Sequence, residues 1–555
     1  MKTGLFSRFS VGFVLTLSLV ALHPFRIAAE ETVHQAPFNP AFLEYQAMLV
    51  KGAVQSMPAN APALGCVPAP VSFEHTAGQS VLVSHPMLGA PAAYDLRTLG
   101  KLTAVRNQGG CGSCWTFGAC ASLESHLLTG ETCDFSENNL KNNAGFDYGP
   151  CGGGNIWMST AYLARWGGPV TETVDPYHDW DDRPSPSVAP VKHVQEVLFL
   201  PLRASATDNE MIKQAVMMYG AVTSAFYYDG SCYNGSTYAY YYSGSSSMNH
   251  EVAIVGWDDN FPAARFLSAP PGNGAFLMKN SWGTGWGQAG YFYISYYDTR
   301  IGMSENAVFE NAEPTDNYTR IYQYDPLGWV SGLGYGTTSA WAANVFTAVD
   351  LEQLRAVSFY TPVVNSSYQI YIYQNPTSVP VGGTPVSSLS GTIAYPGYHT
   401  LALATPVMLS PGQKFSVVVE LTTPGYNYPI AIEYAYAGFS SGASAQAGQS
   451  YFSSTGTSWQ DATTWAATCN VCIKALTTAF HITAISREGN DLRVTWLPAA
   501  GNTNALEVAG SACGVFSNNL VNLFIVTNVV GNSTNYLDVG AATNNARFYR
   551  VRLKP

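Results

Sequence analysis

Two cysteines three residues apart open the clearest helix in this chain. Cys111 and Cys114 lie in RNQGGCGSCWTFG (106–118). CWTFGACASLESHLL follows, with Phe117, Cys120, Leu123 and Leu127 near one face. Ser113 can cap this helix, and Gly130 suits the left-handed position past its end. The runs that come later, EVAIVGW (251–257), AFLMKN (275–280) and YFYISY (291–296), read as strands. Helix early and strands late constrain residues 91–312 to an α+β fold. The cysteine pair itself admits three readings: a disulfide, half of a metal site, or one structural cysteine beside one that does chemistry.

A chain of 555 residues exceeds one hydrophobic core, so two to four domains are expected. Aromatic content of 13% against 11% charged residues favours β-rich order over disorder. A formal charge of −11 provides no basic footprint, which excludes nucleic acid as a partner. Residues 1–29 read as a signal peptide. Lys2 and Arg8 precede the apolar run FSVGFVLTLSLVAL, which is shorter than the roughly 20 residues of a membrane span, and small residues sit near Ala29. No later segment is apolar enough to span, so no membrane span is expected after signal cleavage. A secreted, periplasmic or cell-surface location follows, where disulfides form.

Residues 30–90 are Pro- and Ala-rich, with one short helix in NPAFLEYQAMLV. Residues 318–476 alternate strands such as YQIYIYQ and KFSVVVEL with turns such as LSPGQ, and read as a β-sandwich. Residues 480–555 form a third unit. FHITAISREGNDLRVTWLP is a hairpin turning at Gly489, Asn490 and Asp491, and RFYRVRL is a last strand; a small all-β domain of the fibronectin type III kind suits this length.

A catalytic cysteine needs its thiolate stabilised, a histidine nearby, a polar group to orient that ring, and donors for an oxyanion. Cys114 sits in the first helical turn, where the macrodipole favours an anion. His250, in MNHEVAIVGWDD, opens a buried strand. Asn280, in LMKNSWGTGWG, can hold the imidazole, with Trp282 and Trp286 shielding the bond. Gln108 can supply an oxyanion donor beside the Cys114 backbone N–H.

NQGGCGSCWTFG, NHEVAIVGW and KNSWGTGWGQAGYFYIS together resemble the three signature blocks of the papain-like cysteine peptidases, in order and in spacing. The resemblance covers roughly residues 91–305. It implies Cys114 as nucleophile, His250 as acid/base, Asn280 as orienter and Gln108 as oxyanion donor, acting on polypeptide substrates with no cofactor. It implies a Cys111–Cys151 disulfide, which leaves Cys114 free. It places Gly153 and Gly154 where a substrate backbone approaches, and Glu251 and Trp282 beside the substrate. The residue after the catalytic histidine is usually small in this family; Glu251 in its place can make the pocket for the second residue upstream of the cut accept a basic side chain, or can simply face solvent. Residues 30–90 take the place of a pro-segment, although the family's helix-rich pro-segment motif is not visible. The 318–476 region resembles the lectin-like domain appended to some bacterial papain-like peptidases. Trp329, Trp341, Trp459 and Trp465 there can stack on glycans or form core.

No metal site is expected, because Cys111 and Cys114 lack a second pair at finger-like spacing. Cys120 can bond Cys133, and Cys469 can bond Cys472. Cys66, Cys232 and Cys513 have no assigned partner. Two other functions share these residues. A transglutaminase-like acyl transferase uses the same thioester but typically carries Asp as the third residue. A catalytically silent adhesion protein would tolerate loss of Cys114, His250 or Gln108, and all three are present.

Overall fold

The computed structural model describes Met1 and residues 32–52, 63–81, 89–128, 130–180, 188–479, 482–498, 503–509, 521–527, 534–543 and 547–554. The signal peptide expected at 1–29 and Cys513 lie outside the described residues.

Five α-helices are described: α1 Pro40–Val50, α2 Cys114–Leu127, α3 Glu137–Asn143, α4 Ile156–Ala164 and α5 Glu210–Tyr219. Three of the starts have a side-chain cap. Asn39 accepts from the Ala41 N–H with Pro40 in the first turn of α1; Ser136 caps α3 through Asn139; Asn155 caps α4 through Met158. Ser113 departs from expectation. It occupies the cap position of α2, but its hydroxyl makes no cap bond and instead donates to the Tyr177 hydroxyl at 2.7 Å. The expected single apolar face of α2 is also too narrow. Every residue from Cys114 to Ser125 is buried, because α2 packs between α3 and α4 on one side and three strands on the other.

Those three strands are Val222–Phe226, His250–Asp258 and Asn306–Glu313, neighbours in a thirteen-stranded sheet. Ala275–Lys279 and Tyr291–Ser295 extend it antiparallel beyond His250–Asp258. Their continuous apolar runs reflect burial on both faces. The sheet does not stop at the end of this region. Strand His193–Phe199 pairs on its far side with Gly397–Leu409, in the register Gly397↔Leu198, Tyr398↔Val197 and His399↔Glu196. A Cβ on Gly397 would lie 2.0 Å from the Val197 carbonyl oxygen, so this pairing needs glycine. His399 Nδ1 and Glu196 Oε1 add a 2.9 Å contact across the seam.

The 318–476 region forms the expected sandwich. Strands Glu352–Thr361, Gly397–Leu409 and Ile473–Ala479 of the shared sheet face a six-stranded sheet centred on Lys414–Thr422 and Ser339–Thr347. Leu354, Val357, Ile370, Phe415 and Val417 fill the space between. A four-stranded sheet runs Ser331–Gly334, Ile430–Glu433 and Asn470–Val471, with His34–Gln35 of the N-terminal segment as its edge strand. Cys469 and Cys472 are buried free thiols, as is Cys120; Cys133 and Cys232 are free and partly exposed. The two local disulfides considered from spacing are therefore not formed. Beyond residue 480, two three-stranded sheets enclose Val494, Trp496 and Leu506.

The N-terminal segment has no core of its own, yet it is firmly held. Phe42 on α1 is fully buried against Tyr436 and Phe439, each at 5.4 Å. Burying that ring is worth about 2–3 kcal/mol.

Candidate active site

The disulfide Cys111–Cys151 is formed, joining the turn before α2 to the loop before α4. It leaves Cys114 as a free thiol at the first position of α2. The Cys114 sulfur accepts a 3.4 Å hydrogen bond from the backbone N–H of Glu251. His250 is the preceding residue, so ring and sulfur flank one peptide unit. The ring is fixed from its other side: Nε2 pairs with Asn280 Oδ1 at 2.8 Å, which also accepts the Ser281 N–H. Trp282 stacks on the imidazole at 4.5 Å and 18°, and Trp286 meets Trp282 edge-on at 4.8 Å. His250 Nδ1 has no partner among the described residues and is the nitrogen left for the sulfur's proton.

Gln108 is fully buried. Its Oε1 accepts from Ser281 Oγ at 2.6 Å, which aims the amide nitrogen toward the cleft. Nε2 donates to the Cys111 carbonyl at 2.9 Å and to the Ala63 carbonyl at 3.1 Å. Trp282 Nε1 donates to the same Ala63 oxygen at 3.1 Å. A peptide carbonyl of the N-terminal segment thus already sits on the Gln108 amide expected to receive an oxyanion.

The segment continues through the cleft by backbone contacts. Gly154 N–H donates to Gly65 O and Val67 N–H to Gly154 O, both at 2.9 Å, in parallel pairing. The N–H groups of Gly65 and Cys66 reach Asn249 O at 3.2 and 3.1 Å. Gly153 has φ +99°, and a Cβ there would lie 2.6 Å from Val67 Cγ1. Gly154 is glycine for a different reason, since its Cβ would strike the Trp115 ring at 2.4 Å.

Burial sets the charge state of this closed site. It pushes the Cys114 thiol up, with the nearby Glu251 carboxyl adding to the rise and the N–H groups of Glu251, Gly65 and Trp115 opposing it. Burial lowers His250 to about 4, against a smaller opposite effect from Asn280. Both shifts favour a neutral thiol beside a neutral imidazole, not the ion pair that catalysis needs.

Glu251 does not face solvent. It is buried, and Oε1 accepts from Thr223 Oγ1 at 2.7 Å. Beside it lie Glu305, held up to about 8 by burial, and Cys66 of the N-terminal segment, whose thiol donates to Glu305 Oε1 at 3.3 Å. Sequence reasoning missed Ala63, Glu305 and Tyr177; the Tyr177 hydroxyl donates to Gln108 O at 2.8 Å and steadies the turn. ALGC and GMSENAV carry no local signal for these roles. Of the four tryptophans considered for sugar stacking, Trp329 is core. Trp341 stacks on Tyr371 and is half-buried, as are Trp459 and Trp465.

Comparison with known proteins agrees with this geometry. Residues 90–311 match the papain family cysteine protease model, and residues 321–477 match the lectin like domain model. The chain is 32% identical over 228 residues to thiol protease aleurain of Arabidopsis thaliana, covering 40% of this chain and 60% of that protein. It is 32% identical over 220 residues to cathepsin K of Gallus gallus, covering 37% and 59%. The chain therefore spans about 60% of the length of these curated relatives. A crystal structure of the cysteine protease and lectin-like domains of Cwp84, a surface layer associated protein of Clostridium difficile, superposes with TM-score 0.66 and 28% identity, over 81% of this chain and all of that one. A second structure of the clostridial protease, after propeptide cleavage, superposes with TM-score 0.62 and 30% identity, over 70% of this chain and 99% of that one.

Proposed function

We propose that this chain, whose residues 90–311 belong to the papain family of cysteine proteases and whose residues 321–477 form a lectin-like domain, is a latent cysteine peptidase held closed by its own N-terminal segment. The observation that carries the reading is Cys114 at the start of α2 beside His250, whose Nε2 is tied to Asn280 beneath Trp282. With the cleft open, His250 Nδ1 takes the Cys114 proton, and the sulfur attacks a peptide carbonyl. Gln108 Nε2 and the Cys114 N–H receive the oxyanion. The amine departs with the proton from Nδ1, and water, giving its proton to Nδ1, hydrolyses the thioester.

Residues 30–90 act as the pro-segment. Ala63 O caps the Gln108 oxyanion donor, and Gly65 to Val67 occupy the wall at Gly154. After its release, Glu251 and Glu305 remain in the pocket that Cys66 fills, a pair of carboxylates that suits a basic substrate side chain. Export by the N-terminal signal, display at the cell surface, glycan binding by the lectin-like domain and a fibronectin type III-like tail complete the reading.

An epoxide inhibitor of cysteine peptidases tests it. Full-length protein should label slowly, and protein cut after the pro-segment should label stoichiometrically at Cys114. Labelling that persists in Cys114→Ala, or absence of peptide hydrolysis after pro-segment removal, would sink the proposal.

A further inference from the structure

We propose that Cys66, Glu251 and Glu305 form a divalent-cation site, suited to zinc, that is complete only while the N-terminal segment is docked. The three residues come from three separate stretches: the 63–81 segment, the strand His250–Asp258, and the turn entering Asn306–Glu313. The Cys66 sulfur and one oxygen from each carboxylate lie within 4.8 Å of one another. Donors around a tetrahedral zinc, at about 2.3 Å for sulfur and 2.0–2.2 Å for oxygen, stand roughly 3.5 Å apart, a spacing that small side-chain adjustments within this cluster reach.

Burial argues that the cluster is meant for a cation. Cys66, Glu251 and Glu305 are 6%, 1% and 2% exposed. Among the described residues neither carboxylate enters an ion pair, and Glu251 Oε2 has no hydrogen-bond partner while Oε1 is taken by Thr223. Unpaired acids and an orphaned carboxylate oxygen in such a place are costly unless charge or donors meet them. A thiolate in the set selects zinc over calcium or magnesium, and three protein ligands leave a fourth position open. Cys66 borders a cavity of about 420 Å³ and Glu305 one of about 110 Å³, and Met248 lines both. On binding, the Cys66 thiol releases its proton to solvent, and the sulfur and carboxylate oxygens coordinate the cation.

The site rests on this geometry alone. Its consequence for latency rests on the pro-segment reading. Because Cys66 comes from the segment and the glutamates from the body, zinc at a hundred times its Kd lowers the undocked fraction about a hundredfold.

The test uses the full-length Cys114→Ala chain, which removes the catalytic thiol as a competing ligand and prevents self-cleavage. Zinc ion alone is titrated calorimetrically, and bound metal is counted after dialysis. Cobalt is used in parallel, to read a thiolate-to-metal charge-transfer band. One zinc more per chain is expected than in Cys66→Ser/Cys114→Ala, and Glu305→Gln should weaken binding at least tenfold with the chain still folded by circular dichroism. No zinc uptake, or equal uptake and an equal cobalt band when Cys66 is serine, would overturn the site. None of these readouts needs catalysis, so an inactive wild-type chain leaves the site standing and a missing site leaves the peptidase standing.

Discussion

Gly65 decides at the residue scale how the cleft is closed. A Cβ there would sit 2.2 Å from the carbonyl carbon of Gly112, backbone that cannot swing aside. Gly65→Ala should therefore lift the N-terminal segment without touching Cys114, His250, Asn280 or Gln108, and epoxide labelling of the full-length chain should accelerate at least tenfold. A rate equal to wild type would show that residue 65 is not a closing contact. The thiol makes a second prediction. Burial raises Cys114, so in the closed chain the thiolate appears only as pH climbs; its alkylation rate should keep rising through about pH 7 to 9 without a plateau. Cutting away the N-terminal segment opens the cleft to water, which relaxes the burial that lowers His250, and a reactive plateau should then appear near neutrality. Cys114, His250, Asn280 and Gln108 were legible because each stands in a distinctive local block. Ala63, Cys66 and Glu305 were not, because what a segment meets in a cleft leaves no mark in its own neighbours.

Among elements, α1 shows how a segment without a core becomes ordered. Its single fully buried side chain, Phe42, enters an aromatic nest of Phe38, Tyr436 and Phe439. Phe42→Ala should cost about 3–5 kcal/mol. That loss falls on docking, so protease nicking of residues 32–81 and labelling of Cys114 should both accelerate, while the cleaved enzyme turns over normally. Unchanged nicking would place the anchor elsewhere. The helix itself was readable from NPAFLEYQAMLV. Its partner was not, since Tyr436 and Phe439 lie far along the chain and no periodicity reports a contact at that separation. Strands His250–Asp258, Ala275–Lys279 and Lys414–Thr422, and the extent of α2, were readable within a residue or so; the burial of α2 on every side was not, because it erases the polar face that defines a period.

For the whole molecule, the seam at His193–Phe199 and Gly397–Leu409 changes what counts as a unit. Texture divides the chain into separate domains; one hydrogen-bonded sheet crosses that division. Calorimetry of a Cys114→Ala chain ending near residue 479 should show one cooperative transition for both regions, and a chain ending near residue 312 should lose stability and solubility because it bares an unpaired strand edge. Two well-separated transitions would contradict the shared sheet. Among the described residues, the strands beyond 480 pair with one another in their two sheets, so removal of this tail should leave that transition unmoved.

From Gly397–Leu409 the ladder steps through His193–Phe199, Asn306–Glu313 and Val222–Phe226 to the strand that begins at His250. If the C-terminal half grips a wall or a coat, the scissors inherit its bearing: the blade is then aimed at a chosen angle and height above that surface, and reach becomes a matter of orientation as much as of proximity.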